Sequence, residues 1–543
     1  MSLLLPDAQC ARRWLTRRGL LLGGAALGAS FPFGAPTFAQ ASTARTLRVV
    51  TEVAVKSFDP IWHGSLVTRN YGYMVYDTLL SLDAKLQPQP QMLERWEVSA
   101  DKLTYTFRLR EGLLWHDGAP VVSDDCIASL RRWGARDAMG QMMMSSLSEA
   151  RTVDDRTFQL VFKEVFGPVI EALAKPSVVV PFMMPKRVAE TDPYKEIKEY
   201  VGSGPFIFDK SQWRPGDRTV FSKNKAYRPR REPPSGLAGG KIANVDRIEW
   251  IEMPDAQTQV SAFLNGEIDL LEQIPHDMLP TVDGQKGITL VRGDYSSQFV
   301  FRPNWLHPPF NKQKIRQAAM MVLDQKEIMT SLGGDPKYFK TCKAFFSCEG
   351  PYASDAGAGG RIEGNAEEAR RLLQEAGYDG TPVVLMQGVG RPLFEDLPLV
   401  VKAQLERGGF KVKLVTAEYI TVMTRAIRKE PPDQGGWNAI IHGWSEMDIL
   451  DPLMNPSMQA NCEKARPGWP CDAKIEQLRG RFAHETDPAQ RKKIAEALQA
   501  YAMEAVPYVP LGEWYGVTGL GKGVSGWLNA PVPVYWNVTK GNA

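Results

Sequence analysis

Between His442 and Pro452 the chain reads HGWSEMDILDP, which sets an imidazole, an indole and three carboxylates close together directly after the apolar run Asn438 to Ile441. Three kinds of chemistry draw on such a set. Glu446 and Asp448 offer the two carboxyl groups that glycoside hydrolysis requires. His442 offers a metal ligand. Trp444 offers a flat wall for stacking or for a cation, with the acids meeting a cationic group on a ligand. Catalysis finds no further support, because His63, His116, His276, His307, His442 and His484 fall in no HExxH or triad-like local pattern. GxxxxGK[ST] and CxxC spacings are missing too. We therefore expect no catalytic residue, no bound metal and no cofactor, and read the stretch as a grip on a ligand. The bland alternatives are a structural histidine beside a strand end and a solvated acidic loop.

The elements that position this stretch begin after an export segment. Arg17 and Arg18 stand directly before an apolar run from Gly19 to Ala29, too short for the roughly 20 residues of a membrane helix. Small residues follow, with cleavage sites at Ala39 or Ala41, so residues 1–41 are excluded from the fold. The paired arginines resemble a twin-arginine signal, with the general secretory route as the alternative. Cys10 precedes the apolar run, so no lipid anchor is expected there. Losing Arg12, Arg13, Arg17, Arg18 and Asp7 takes 65 basic and 62 acidic residues to 61 of each. That balance leaves no basic footprint for nucleic acid. In an oxidising compartment the close pairs Cys342/Cys348 and Cys462/Cys471, set in loops, read as two local disulfides, the alternative being four free thiols. Cys126 reads as a buried thiol.

A mature chain of this length outgrows one core, so at least two lobes are expected. Strand patterns such as TLRVVTEV, TYTFRLR, KVKLVTAEY and NAIIHGW alternate with helical ones such as SDDCIASLRRWG, NKQKIRQAAMMVLDQKEIMTSLG and DPAQRKKIAEALQAYAMEAVP. That alternation predicts α/β lobes with mixed sheets. Ser123 is placed to cap the first of those helices, and His116-Asp117-Gly118 suits a tight turn. The methionines of MGQMMM, Met139 to Met144, suit a helix flank or a pliable pocket wall.

The segment Tyr76 to Asp125, with its Trp-Glu-Val, Tyr-x-Phe-x-Leu-Arg, His-Asp-Gly and Asp-Asp elements, resembles a family signature, and GSGPFIF at 202–208, SKNKAYRP, FLNGEIDLLEQIP and RRLLQEAGY follow in matching order. The chain resembles the large periplasmic solute-binding proteins of ABC importers, in the class that carries peptides and nickel. The resemblance implies a type II two-lobed periplasmic-binding-protein fold, with lobe I over 42–295 including an extra subdomain, lobe II over 296–500, and a return to lobe I over 501–543. It implies a soluble periplasmic monomer that closes on a small-molecule solute and delivers it to an inner-membrane permease. It also implies site residues: Thr68, Arg69 and Tyr71 beside the first helix, Arg302 where relatives carry Asn, and His442, Gly443 and Trp444. In peptide-binding members an Asp three residues after the Trp meets the peptide amine. Here that position is Met447, so Glu446 or Asp448 takes the part. A peptide-like or amino-containing solute is the first choice; an opine, glycoside or metal chelate is the second, and an exported enzyme or sensor the reading from another class.

Overall fold

The computed structural model describes residues 45–541 apart from 178, 333, 334 and 391; the expected export segment lies outside them. Eleven strands form one mixed sheet: β1 (Thr46–Val50), β2 (Phe206–Phe208), β3 (Arg218–Lys223), β4 (Arg247–Ile251), β5 (Leu270–Leu271), β6 (Thr289–Pro303), β7 (Phe339–Lys340), β8 (Val383–Val389), β9 (Val412–Glu418), β10 (Ala439–Ser445) and β11 (Val509–Leu520). Their order is β2-β3-β4-β1-β5-β11-β6-β10-β8-β9, with β7 against β11. The long antiparallel pair β6 and β11 is the crossing. At Leu520 and Gly519 β11 carries β5 and the first flank, while from Ser297 to Pro303 β6 carries β10 and the second. Phe299, Val300 and Phe301 are all fully buried, since helices and loops cover both faces of the sheet there. The ladder between β6 and β11 slips register between Arg292 and Ser296 and again between Gln298 and Val300. Such irregularities bend and twist a strand pair locally.

The first flank carries an inserted antiparallel sheet in the order Leu93–Val98, Thr104–Leu109, Thr157–Phe162, Leu147–Asp154. Beside it pack α2 (Ser123–Arg136) and α3 (Ala138–Ser146), while α1 (Leu66–Val75) packs against β2 of the large sheet. Ser65 caps α1 by accepting from Thr68 N. At α2 the expected Ser123 cap is replaced: Asp125 reaches back to accept from Val122 N at 3.0 Å, which puts Ser123 inside the helix. Gly118 takes φ +87° in the turn after His116, as its sequence suggests. The long helical pattern at 311–333 is two helices, Gln313–Val322 and Gln325–Ser331, because Asp324 accepts from Lys326 N and Glu327 N and starts a new one. Among the described residues no helix is long and apolar enough to cross a membrane.

On the second flank, α4 (Ala473–His484) and α5 (Pro488–Ala505) lead back into β11. They touch the inserted unit directly. Gly167 N donates to Ala483 O at 2.8 Å, a Cβ on Gly167 would overlap the carbonyl of Glu485, and Arg491 pairs with Glu171 at 2.8 Å. The sulfurs of Cys342 and Cys348, and of Cys462 and Cys471, lie within bonding distance. Cys126 is buried, as expected.

Arg302, 1% exposed, is the polar anchor of the second flank. Its guanidinium donates to the carbonyls of Pro467, Ser457 and Pro507 at 2.9, 2.7 and 2.9 Å. Arg302→Leu strands three buried acceptors, so unfolding free energy falls by on the order of 3 kcal/mol. Urea denaturation checks this, and an unchanged midpoint contradicts the anchoring role.

Candidate ligand-binding site

Strand β10 is held antiparallel to β6 with Trp444 opposite Gln298 and Ser445 opposite Ser297. It ends where Glu446–Asp448 make one 3-10 turn, shaped by Asp448 accepting from Ser445 Oγ at 2.8 Å and Ser445 N at 3.2 Å. The acids of the HGWSEMD stretch are thereby delivered to the strand crossing. Glu446 accepts from Ser296 N at 3.1 Å, and the hydroxyl of the same serine donates to Glu513 at 2.9 Å. Lys340 compensates Glu513 at 3.0 Å and Glu349 at 2.7 Å. Burial raises the Glu446 carboxyl to about 7, and the neighbouring Glu513 charge pushes the same way against the Ser296 N–H.

Trp444 stands half-buried beside this turn, its indole N–H on Ser457 Oγ at 2.9 Å. The Arg466 guanidinium lies 5.0 Å from its ring centroid, and His442 meets the ring edge-on at 5.1 Å. Burial, joined by the charges of Arg302 and Arg466, lowers the His442 imidazole to about 3, so it is neutral at physiological pH. Gly443 is packed under Phe394, whose Cζ would stand 3.1 Å from a Cβ.

From the first flank α1 brings Arg69, only 5% exposed. Its Nε and Nη2 reach Asn70 Oδ1 at 3.3 Å, while Nη1 is buried without a hydrogen-bond partner. Burial lowers its basicity, and the charges of Asp448, Glu272 and Glu52 oppose that. The Asp448 charge also acts on Arg466 at longer range, so the turn is coupled electrostatically to guanidiniums of both flanks. A cavity of about 70 Å³ opens beside Arg69, with Glu52, Asn70, Glu272 and Gln273 in its wall. Glu272 is raised to about 7, chiefly by burial, while accepting from Tyr535 OH and from Glu52 N at 3.0 Å.

Three residues expected to touch a ligand are turned elsewhere. Thr68 is fully buried because its hydroxyl closes the α1 cap, donating to Ser57 O at 3.0 Å. Tyr71 is fully buried because its ring packs 5.0 Å from Phe58 and 5.6 Å from Phe208. Arg302 spends its donors on the carbonyls named above. Arg69, His442, Trp444 and the Glu446–Asp448 turn are brought to one region. Arg466, Glu52 and Glu272 join them unannounced, since each comes from a segment far away in sequence with no local pattern. Cys342 Sγ, Cys348 Sγ and a Glu513 oxygen lie within 4.8 Å of one another, a metal-like grouping only if the two sulfurs are reduced. A cavity of about 380 Å³ lined by α2 and the inserted sheet holds the Lys186–Asp124 ion pair at 3.0 Å.

Comparison with known proteins gives a consistent picture. The family model described as "Bacterial extracellular solute-binding proteins, family 5 Middle" matches residues 87–465. A probable peptide ABC transporter periplasmic-binding protein of Sinorhizobium fredii is 35% identical over 534 residues, covering 97% of this chain and 99% of its own. Among solved structures, the periplasmic binding protein DppA of Helicobacter pylori in complex with the peptide STSA superposes with a TM-score of 0.77 at 19% identity, over 92% of this chain and 99% of that one. AgaA of A. tumefaciens R10 in complex with agropinic acid gives 0.75 at 21%, over 92% and 99%. These likenesses show the two-lobed α/β periplasmic-binding-protein fold.

A carboxyl raised in the folded state favours the protonated fold, so its cost is absent below about 4.5 and grows as pH rises through 7. Glu446→Gln removes that cost. Its stability gain over the parent is near zero at pH 4.5 and climbs to on the order of 3 kcal/mol above pH 7. Paired melting curves across that range check it, and a gain independent of pH contradicts the assignment.

Proposed function

The chain belongs to family 5 of the bacterial extracellular solute-binding proteins, and on that premise we propose that it is the periplasmic component of an ABC importer, closing two lobes on a peptide-like or amino-containing solute and handing it to an inner-membrane permease. Residues 42–295 form lobe I, 296–500 lobe II, and 501–543 return to lobe I, so β6 and β11 are the hinge strands. The chain is exported by the twin-arginine or general secretory route after loss of residues 1–41. It works as a soluble monomer with disulfides Cys342–Cys348 and Cys462–Cys471. Its action is binding and closure, without covalent chemistry.

The observation that carries this reading is the 35% identity, along nearly the whole chain, to a probable peptide transporter binding protein. The site geometry supports it. Closure removes a solute from water, and an ion buried without a partner costs several kcal/mol. A zwitterion therefore needs an acid and a base, and the cleft offers both. The unpartnered Nη1 of Arg69 receives a ligand carboxylate. The Glu446–Asp448 turn receives the ammonium, with Trp444 as a flat wall between them.

Native against denaturing mass spectrometry of the protein released from its own periplasm tests the ligand class. A peptide mass is expected; an opine, sugar or metal-chelate mass overturns the peptide reading while leaving solute capture in place. Calorimetry of Trp444→Ala is expected to find binding weakened more than tenfold, about 1.4 kcal/mol, and an unchanged affinity removes the indole from the site.

A further inference from the structure

A third cavity, of about 290 Å³, has walls from both flanks: Arg136, Met139, Lys175 and Val179 from the first, Met454 and Arg466 from the second. That size is near the lower end for small-ligand pockets, roughly 300–1,000 Å³. It adjoins the site already described, because Arg466 also lies over Trp444.

Its charges do not balance. Asp137 is engaged twice, pairing with the buried Lys175 ammonium and capping α3 by accepting from Gly140 N at 2.9 Å. Arg136 gives Nη2 to Trp62 O at 3.1 Å, but its Nε is buried without a partner. No carboxylate of the described residues comes within ion-pair distance of Arg136 or Arg466. The Arg466 side chain is wetted by the cavity, yet protein around it lowers its basicity, with only the Asp448 charge opposing. Two guanidiniums, one from each flank, thus border one cavity with its single acid already committed. Between them the wall is apolar: Met139 and Met454 are both largely buried, and thioether chains adapt to varied aliphatic stems.

We propose that this cavity is a specificity pocket for a ligand side chain that ends in a carboxylate on an aliphatic stem, so that the solutes preferred are acidic peptides. The inference rests on the peptide reading above and names the side chain that reading leaves open. A side chain entering as an anion meets Arg466 from one flank and Arg136 from the other, which ties recognition of its charge to closure. An amide of the same shape offers no charge to either guanidinium and leaves the buried Nε of Arg136 without an anion.

The test is calorimetry of the mature protein with matched peptides, Ala-Glu against Ala-Gln and Ala-Asp against Ala-Asn, repeated with Arg466→Met and with Arg136→Met. The acidic member of each pair is expected to bind at least tenfold tighter. Arg466→Met, and independently Arg136→Met, should bring the acid-over-amide ratio to near one; the ratio within each variant is the readout, because Arg466 also lies over Trp444. Because only the main-chain carbonyl of Arg466 is used by Arg302, the Arg466→Met variant should melt with the parent, and circular dichroism checks that it folds. Equal binding of acid and amide, or a preference that survives Arg466→Met, overturns the pocket and leaves peptide capture standing. Binding of none of the four peptides overturns both.

Discussion

The antiparallel ladder of β6 and β11 is the constraint on which everything else depends. Each of these strands has one end in each flank, so the flanks can move relative to one another only by bending a pair of hydrogen-bonded strands. A regular ladder resists such bending; a ladder that slips register twice between Arg292 and Val300 concentrates it. Ser296 sits at that slip and binds Glu446 through its amide and Glu513 through its hydroxyl. The acids are there because the hinge is there: their partners are strand atoms exposed by the irregularity.

Charge divides the buried polar groups into two kinds. Lys241 with Asp77 at 2.7 Å and Arg132 with Asp59 at 2.7 Å are nearly dry and mutually satisfied, and they knit the first flank internally. Arg69 and Arg136 differ, each with a buried guanidinium nitrogen that has no hydrogen-bond partner, and the exposed Arg466 has no carboxylate of the described residues within ion-pair distance. A protein that only had to stay folded gains nothing from burying such groups. One that must hold a charged solute out of water gains the partner that solute requires.

Much of this was legible in the sequence, and the failures have physical causes. The apolar run before His442 marked a buried strand, so the site stretch was bound to emerge at a strand end, as it does. The two cysteine pairs are close enough in sequence that their loops bring the sulfurs together. Thr68, Tyr71 and Arg302 misled for one reason: residue type and neighbourhood do not say which side of a helix or strand a side chain faces, and these three face inward. Asp324 concealed a helix break because a helical period can run on through a capped restart. Arg466 left no signal, since its meaning comes from Trp444 and Met139, two segments that only tertiary structure makes its neighbours.

The contacts between the inserted unit and the helices leading into β11, Gly167 on Ala483 and Arg491 on Glu171, touch no ligand-lining group, yet they join the two flanks. Apparent affinity is the intrinsic affinity scaled by the fraction of molecules already competent to bind. Those remote contacts therefore act as a gain control: substitutions there retune the solute concentration at which uptake begins, uniformly for every solute, and leave the ranking of solutes as it was. Scarcity and selectivity can be adapted separately, on different surfaces of one chain.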